Sequence, residues 1–306
     1  MEKVYRLTPV IKDAIWGGRR LFDYGKKSVL DRIAESWEVS FVEGDEARTD
    51  DGKILSEVLP KALWGEACRD FERFPVLTKF IDAAEKLSVQ VHPSDEYALK
   101  YENSYGKTEM WYVVDAAPGA GIYIGLREAT SRERFAAAVA DGSVEELLSF
   151  VPCHPGDVFF IPAGTVHAIC EGVLIYEIQQ NSTLTYRLYD YMRRDKAGNL
   201  RPLHIDRAMN VLDTAPYASP DLSACEPGLI GKCKYFEVCE RAVSGSARLT
   251  VDSDSYLAIT CVKGSGAVEG ISASAGDSFI APAGVGEIAI EGDMTLILVK
   301  TPTPCE

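Results

Sequence analysis

Short strands with alternating apolar and polar positions dominate the chain from residue 74 onward. The segment "EKLSVQVHPSDEYA" (residues 85–98) predicts a strand over 87–91 that ends before a proline. One face of this strand is apolar and consists of Leu87, Val89 and Val91. The other face carries a hydroxyl, an amide and an imidazole, those of Ser88, Gln90 and His92. The pattern therefore predicts a strand with three potential ligands on one side.

Similar strand patterns follow in "PVLTKFIDA", "TEMWYVVDA", "DVFFIPAG", "VLIYEIQQ" and "LTYRLYDY". Helical spacing occurs in two insertions: residues 53–69, and residues 131–151, where a glycine separates two helix-like runs. Residues 213–224 are rich in proline, serine and alanine and indicate a linker. We expect a β-dominated chain with an N-terminal domain over 1–212 and a C-terminal β domain over 225–306.

Two segments of the chain resemble each other. The segments "PGDVFFIPAGTVHAI" (155–169) and "AGDSFIAPAGVGEIAI" (275–290) share Gly-Asp, Phe and Pro-Ala-Gly at the same spacing. Such an internal repeat indicates a duplicated β-unit. The second copy has Glu287 where the first has His167. We therefore expect a ligand site in the first unit and a structural role for the second.

Charge and cysteine usage exclude several classes of protein. A net charge of −14 argues against a general affinity for nucleic acid or an anionic membrane. No apolar run approaches the length of a spanning helix, and no secretory segment follows Met1. The eight cysteines are scattered without a CxxC pair, which favours reduced thiols. The sequence predicts a cytoplasmic protein.

Polar side chains recur on one face of further predicted strands. They are Lys107 and Glu109, then Glu177 and Gln179, then Thr185 and Arg187. Two histidines, His92 and His167, together with Gln90 and one of these glutamates, come from three chain segments and could form a compact metal site with nitrogen and oxygen ligands. The alternative is that alternation only marks half-exposed antiparallel strands whose polar face meets water. For a single strand we favour the alternative, but two of the four histidines in this set favour a site.

The spacing Gly156-x5-Pro162-x-Gly164-x2-His167 resembles the second motif of the cupin superfamily, whose members are jelly-roll barrels. The first cupin motif has its counterpart in Gln90-Val91-His92, followed by Glu109. Together, "LSVQVHP", "GKTEMWYVVD", "PAGTVHA" and "IQQNSTLTYRLYDY" resemble type I mannose-6-phosphate isomerases of the short bacterial form. The resemblance covers roughly residues 6–210 and implies two cupin barrels with helical insertions.

The resemblance also implies a site. The zinc ligands of the family fall on Gln90, His92, Glu109 and His167, which implies one zinc ion per chain. Further active-site residues fall on Ser88, Lys107, Glu177 and Arg187. Lys107 and Arg187 suit catalysis and phosphate binding, Ser88 suits substrate binding, and Glu177 is the predicted acid/base group, with its pKa raised by burial. The sequence departs from close relatives at Thr183, where they tend to have aspartate.

The implied activity is the interconversion of mannose 6-phosphate and fructose 6-phosphate through a cis-enediolate, by a monomer or homodimer. Two alternatives stay open. Two histidines and a carboxylate also suit iron, so an iron-dependent dioxygenase or another sugar-phosphate isomerase is one. A non-catalytic cupin that binds sugar phosphates is the other.

We expect His154 and His204 to lie at the surface. For Arg187, the alternative to a role in the site is a structural ion pair with Asp190.

Overall fold

The predicted strands fold into three large antiparallel sheets in the computed structural model, which describes residues 4–194, 197–219 and 228–303. The strands are β1 (Tyr5–Thr8), β2 (Val10–Lys12), β3 (Glu35–Val39), β4 (Phe41–Val42), β5 (Asp45–Glu46), β6 (Arg48–Thr49), β7 (Val76–Ala83), β8 (Val89–Val91), β9 (Glu109–Ala116), β10 (Gly121–Leu126), β11 (Leu148–Pro152), β12 (Val158–Ile161), β13 (His167–Ile169), β14 (Val173–Gln180), β15 (Tyr186–Tyr189), β16 (Leu229–Lys232), β17 (Glu237–Val251), β18 (Leu257–Val268), β19 (Ile271–Ser274), β20 (Ser278–Ala281) and β21 (Gly286–Lys300). The α-helices are α1 (Arg20–Asp23), α2 (Leu55–Val58), α3 (Asp95–Tyr101), α4 (Arg132–Asp141) and α5 (Ile205–Val211). Short 3-10 turns span Lys61–Leu63, Glu66–Cys68 and Val144–Leu147.

Two of the sheets face each other and form the first barrel. Their strand orders are β11-β10-β13-β8-β15 and β12-β9-β14-β7-β3-β2. Apolar side chains from both sheets meet in one buried cluster that includes Ile81, Trp111, Ile122 and Ile175. Burial of such side chains between two sheets is the main source of stability in this architecture. The predicted jelly-roll fold class is confirmed.

The third sheet contains all six strands of residues 228–303, in the order β16-β17-β21-β18-β20-β1-β6, with β19 beside β18. The N-terminal strand β1 pairs with β20, where Tyr5 lies opposite Ile280. A large apolar cluster also joins the barrel to this sheet, with Phe74 and Tyr176 packed in the same group as Phe236. The ends of the chain are thus held together by both pairing and packing.

The two repeat segments, 155–169 and 275–290, adopt the same local structure. Each contains a short strand, a Pro-Ala-Gly turn and a second strand: β12 and β13 in the first copy, β20 and β21 in the second. Gly164 and Gly284 both have positive φ angles, 91° and 78°, in the left-handed region that favours glycine. The shared turn explains the shared sequence. Glu287 in the second copy is exposed and pairs with Arg248 at 2.9 Å.

Two local predictions were wrong. The second half of the 131–151 insertion is a 3-10 turn followed by β11, because Gly142, with φ of 83°, ends α4 and the chain then pairs with β10. Leu87 does not share a face with Val89 and Val91. It precedes β8 and packs between the sheets, whereas the two valines pack beneath α4 and α5. The 53–69 insertion, in contrast, is helical with an interruption near Pro60 as predicted, and consists of one helical turn and two 3-10 turns.

The sequence predicted that the cysteines are reduced thiols, and several of them lie in the described part of the chain. Cys68, Cys153, Cys170, Cys233 and Cys261 are free thiols. The last part of the predicted linker, from residue 220, lies outside the described residues, as do the cysteines at 225 and 305. Within the described ranges, no helix has the length and apolar character needed to span a bilayer.

Candidate metal centre and active site

Three buried ligand groups converge inside the first barrel. His92 follows β8, Glu109 begins β9 and His167 begins β13, so both sheets contribute. One ligand atom from each lies within 4.8 Å of the others. Nε2 of His167 is 3.3 Å from Oε1 of Glu109, and Nε2 of His92 is 3.6 Å from Oε2. Among the described histidine, cysteine and carboxylate side chains, His92, Glu109 and His167 are the ones close enough together to hold a metal ion.

Both imidazoles are held in the form that a metal requires. Nδ1 of His92 donates to the carbonyl oxygen of Leu184 at 2.8 Å, and Nδ1 of His167 donates to that of Thr165 at 2.9 Å. These bonds fix the tautomer and leave each Nε2 lone pair directed at Glu109. Burial and the charge of Lys107 lower the pKa of His167 to about 4, and the same causes lower the pKa of His92. Both rings are therefore neutral ligands at pH 7.

Glu109 carries the negative charge of the group. It is completely buried, and its Oε1 has no hydrogen-bond partner in the structure. An orphaned carboxylate oxygen at this depth is costly unless a cation satisfies it. Oε2 accepts a short hydrogen bond from the Lys107 ammonium, which also lies 3.2 Å from Nε2 of His92. Burial and nearby Glu177 raise the pKa of Glu109 to about 7, although Lys107 opposes them. This donor set fits a divalent metal ion.

Gln90 lies at the edge of the group. It pairs directly with His167 across β8 and β13, and its side-chain nitrogen is 3.3 Å from Nε2 of that histidine. Rotation of the amide exchanges its nitrogen and oxygen, so the oxygen can take the same position. An amide oxygen, a carboxylate and two imidazoles are compatible with an open zinc site that keeps a position for water or substrate.

The carboxylate of Glu177 lies beside this group and is held from three sides. Oε2 accepts a hydrogen bond from the indole of Trp111 at 2.9 Å. Oε1 is 3.2 Å from the ammonium of Lys79 and 3.5 Å from that of Lys107. The side chain is 2% exposed, so these contacts are poorly screened by solvent.

The pKa of Glu177 moves in the direction opposite to our expectation. Burial raises the pKa of this carboxyl, but the ammonium groups of Lys107 and Lys79 outweigh burial and lower the pKa to about 2. The expectation considered burial alone and left out both ammonium groups. Lys107 was part of the predicted site, whereas nothing in the sequence places Lys79 near Glu177. The free enzyme therefore holds Glu177 as a carboxylate throughout the neutral range.

A cavity of about 370 Å³ opens onto these groups. Its lining includes every predicted substrate-binding residue, namely Ser88, Lys107 and Arg187. Thr183 also lines it. A larger cavity of about 680 Å³ lies near Phe71, Leu99 and Lys232. We assign the chemistry to the smaller cavity, because Gln90, Lys107 and Glu177 line it and lie beside the buried metal group.

Arg187 projects from β15 into the cavity, and its Nε is buried without a hydrogen-bond partner. The structural pair with Asp190 does not form. That carboxylate instead accepts hydrogen bonds from Arg193, at 2.6 Å, and from Arg201. His154 is exposed as expected, whereas His204 accepts a hydrogen bond from the backbone N–H of Arg187 at 3.2 Å. His204 therefore helps to hold the arginine strand, a role that the sequence prediction missed.

Lys79 and Glu35 also line the cavity, and neither was predicted from the sequence. A signal for the lysine was present. All eight residues of β7 are buried, and a charged residue in a fully buried strand needs a partner. Glu35 had no comparable signal, because β3 follows a charged loop and the side chain is partly exposed.

A barrel of two antiparallel sheets that encloses two histidines and a carboxylate defines a cupin-type metalloprotein. Comparison with known proteins is more specific. The model of the type I phosphomannose isomerase catalytic domain matches residues 4–116, and that of the mannose-6-phosphate isomerase cupin domain matches residues 229–301. The chain belongs to the type I mannose-6-phosphate isomerase family, and the predictions of this family and of an enzyme are confirmed.

Individual relatives agree with this assignment. The mannose-6-phosphate isomerase ManA of Bacillus subtilis is 37% identical over 302 residues, covering 93% of this chain and 94% of that protein. The mannose-6-phosphate isomerase of Streptococcus mutans is 35% identical, covering 92% and 93%. A crystal structure of the mannose 6-phosphate isomerase from Bacillus subtilis superposes with a TM-score of 0.88 at 33% identity, covering 97% of this chain and 99% of that one. A structure of a putative mannosephosphate isomerase from Archaeoglobus fulgidus, at 23% identity and a TM-score of 0.79, supports the fold alone.

Proposed function

We propose that this enzyme interconverts mannose 6-phosphate and fructose 6-phosphate with one zinc ion bound in the first barrel. The family assignment supports the reaction class. The observation that carries the proposal is the position of the buried His92–Glu109–His167 group, beside the Lys107 and Glu177 side chains that line the cavity. Gln90 and these two charged groups line the space in which a sugar phosphate would bind, and the buried metal group adjoins them.

His92, Glu109 and His167 would hold the metal, with Gln90 as the fourth ligand. A zinc ion bound there would supply fixed positive charge for an electron-rich oxygen of the substrate. The orphaned Oε1 of Glu109 and the fixed tautomers of the two histidines support this ligand set. Because Glu287 replaces the histidine in the second repeat segment and pairs with Arg248, we expect one zinc ion per chain. Metal analysis that finds two tightly bound equivalents would contradict this count.

Substrate anchoring would fall to Ser88, Lys107 and Arg187. The arginine offers an unused buried N–H group to the cavity, and a guanidinium matches the geometry of a phosphate or of paired sugar oxygens. Such local positive charge is needed because the protein as a whole carries a net charge of −14.

Glu177 would transfer the proton between the two carbon atoms. Its carboxylate would accept the proton from C2 of open-chain mannose 6-phosphate, leaving a cis-enediolate. The hydroxyl proton on O2 would pass to O1, and Glu177 would return a proton to C1 to give fructose 6-phosphate. A carboxylate whose pKa is about 2 is a weak base in the free enzyme. Binding of the anionic substrate would draw the Lys107 ammonium toward itself, which removes one of the two charges that lower the pKa of Glu177.

Isotope exchange tests the enediolate. Conversion in D₂O should place deuterium on C1 or C2 of the recovered sugar phosphates, because a proton held by Glu177 can exchange with solvent before it returns. A single turnover with complete retention of the substrate hydrogen, together with wild-type activity of Glu177→Gln, would contradict proton transfer through this residue.

An iron-dependent cupin remains the second candidate, because two histidines and one carboxylate suit iron as well as zinc. Metal analysis of protein purified without added metal, combined with an oxygen-consumption assay, separates the two. A non-catalytic sugar-phosphate-binding cupin would bind mannose 6-phosphate without turnover. Intact Lys107, Glu177 and Arg187 favour the enzyme. The monomeric or homodimeric state and the cytoplasmic location stay predictions.

A further inference from the structure

Four residues form a continuous row across the six-stranded sheet β12-β9-β14-β7-β3-β2 of the barrel. Lys79 on β7 lies directly opposite Trp37 on β3 and opposite Glu177 on β14. Glu177 in turn lies opposite Trp111 on β9. Direct cross-strand partners place their side chains on the same face, about 4.5–5.5 Å apart. The register of three strand pairs therefore brings Lys79 to Glu177, without contribution from a loop.

Lys79 is buried and fully engaged. It is 8% exposed, and its ammonium lies 3.1 Å from Oε2 of Glu35 and 3.2 Å from Oε1 of Glu177. The ammonium also lies 5.6 Å from the ring centroid of Trp37, whose indole N–H donates to the same Glu35 oxygen at 2.6 Å. A buried ammonium is costly unless it is paired, and two carboxylates with an aromatic ring satisfy this one.

The two lysines beside Glu177 have different surroundings. Lys107 contacts the metal-ligand group, so its contact with Glu177 depends on what the site binds. Lys79 contacts none of the ligands His92, Glu109 and His167. Its partners, Glu35 and Glu177, belong to the strands on either side of β7. Two lysines thus face the same oxygen of Glu177. Lys79 is held by residues of neighbouring strands, whereas Lys107 also contacts the metal-ligand group.

We propose that Lys79 is a positioning residue that fixes the Glu177 carboxylate in its reactive orientation and ionised form, and that Glu35 and Trp37 hold Lys79 in place. This inference rests on the proposed role of Glu177. Nothing in it requires Lys79 to touch substrate. Burial lowers the pKa of Lys79, but Glu177 and Glu35 outweigh burial and raise it, so the lysine stays charged during turnover.

The test compares three variants that differ in charge and position. Lys79→Met removes the ammonium but keeps the length of the side chain, whereas Lys79→Arg keeps the charge. Lys12→Met is the matched control. Lys12 also lies over the ring of Trp37, at 4.7 Å, but it pairs with Asp45 rather than with Glu177. Each protein is measured for metal content, for kcat and KM with mannose 6-phosphate, and for the pH profile of kcat.

We expect Lys79→Met to retain its metal and to lose about 10- to 100-fold in kcat, with little change in KM, because a misplaced base costs rate rather than binding. Loss of one of the two ammonium groups facing Glu177 also raises the pKa of that carboxyl, so the acid limb of the profile moves to higher pH. Lys79→Arg should restore most of the rate and the original limb. Lys12→Met should match the wild type.

An Nε1–H signal of Trp111 gives a readout that does not depend on turnover, because this group donates to Glu177. Its ¹⁵N–¹H resonance, assigned with Trp111→Phe, should shift at a higher pH in Lys79→Met than in the wild type. Should Lys79→Met fail to fold, Lys79→Gln serves for the same titration. An unchanged acid limb and an unchanged Trp111 titration in the folded variant would overturn the inference. A wild-type protein without isomerase activity would overturn the proposed function, while the Trp111 titration would still decide the role of Lys79.

Discussion

His167 and Gln90 are direct partners across β13 and β8, with their side-chain nitrogens 3.3 Å apart. This single pair fixes the geometry of the metal centre, because His92 lies two positions beyond Gln90 and Glu109 faces His167 from the other sheet. The ligands are thus carried by paired strands of two packed sheets. Rigid strands hold ligands more accurately than loops do.

The metal centre predicts a loss of metal in His167→Ala. Removing one ligand of an open site should lower zinc affinity strongly, and activity should fall with metal content. His154→Ala is the control, because that side chain is 78% exposed and lies outside the site. Metal content by mass spectrometry and the turnover of both variants check the expectation. Full occupancy with wild-type turnover in His167→Ala would refute the ligand assignment.

The setting of Glu177 predicts a defect in chemistry rather than in binding. Glu177→Gln keeps the shape and can still accept the hydrogen bond of Trp111, but it cannot carry a proton. General acid–base groups contribute about 10²–10⁴-fold, so kcat should fall within that range while KM changes little. Steady-state kinetics with mannose 6-phosphate provide the measurement. A variant as fast as the wild type would assign proton transfer to another group.

Arg187 predicts a defect that depends on salt. Arg187→Ala removes a cavity cation that has an unused N–H group, so KM for mannose 6-phosphate should rise and kcat should fall. Attraction of a dianionic phosphate weakens as ionic strength rises. The ratio of wild-type to variant kcat/KM should therefore shrink between low and high salt. A ratio that stays constant over this range would show that the arginine acts only at short range.

Asp190 predicts a pH-dependent contribution to stability. Burial raises the pKa of this carboxyl, but hydrogen bonds from Arg201 and Arg193 outweigh burial and lower the pKa below its usual value. A lowered native pKa stabilises the fold above the unfolded value of about 3.9, and the contribution disappears as pH falls through the native value. We expect Asp190→Asn to lower the free energy of unfolding by about 1–2 kcal/mol at pH 7, since the arginines are partly exposed. Urea unfolding at pH 7 and below pH 4 should show this difference shrink, and a difference independent of pH would contradict the assignment.

Much of the site could be predicted from sequence because its ligands follow short, regular spacings. The Pro-x-Gly-x-x-His spacing depends on one turn, in which Gly164 takes a positive φ, and that turn leaves a direct trace in the sequence. Lys79 and Glu177 leave no such trace. They meet because β7 and β14 are neighbours, in a register that follows from packing of the whole sheet. The pKa of Glu177 depends on Lys107 first and on this strand neighbour second, and the prediction from burial alone therefore had the wrong direction.

The most direct test of the account is the turnover of mannose 6-phosphate to fructose 6-phosphate in a coupled assay, before and after metal removal. The purified protein should be active, a chelator should abolish the activity, and one equivalent of zinc per chain should restore it. Isomerase activity that persists in fully metal-free protein would contradict the role of the His92–Glu109–His167 centre. A zinc-loaded protein without any turnover of this substrate would contradict the proposed function.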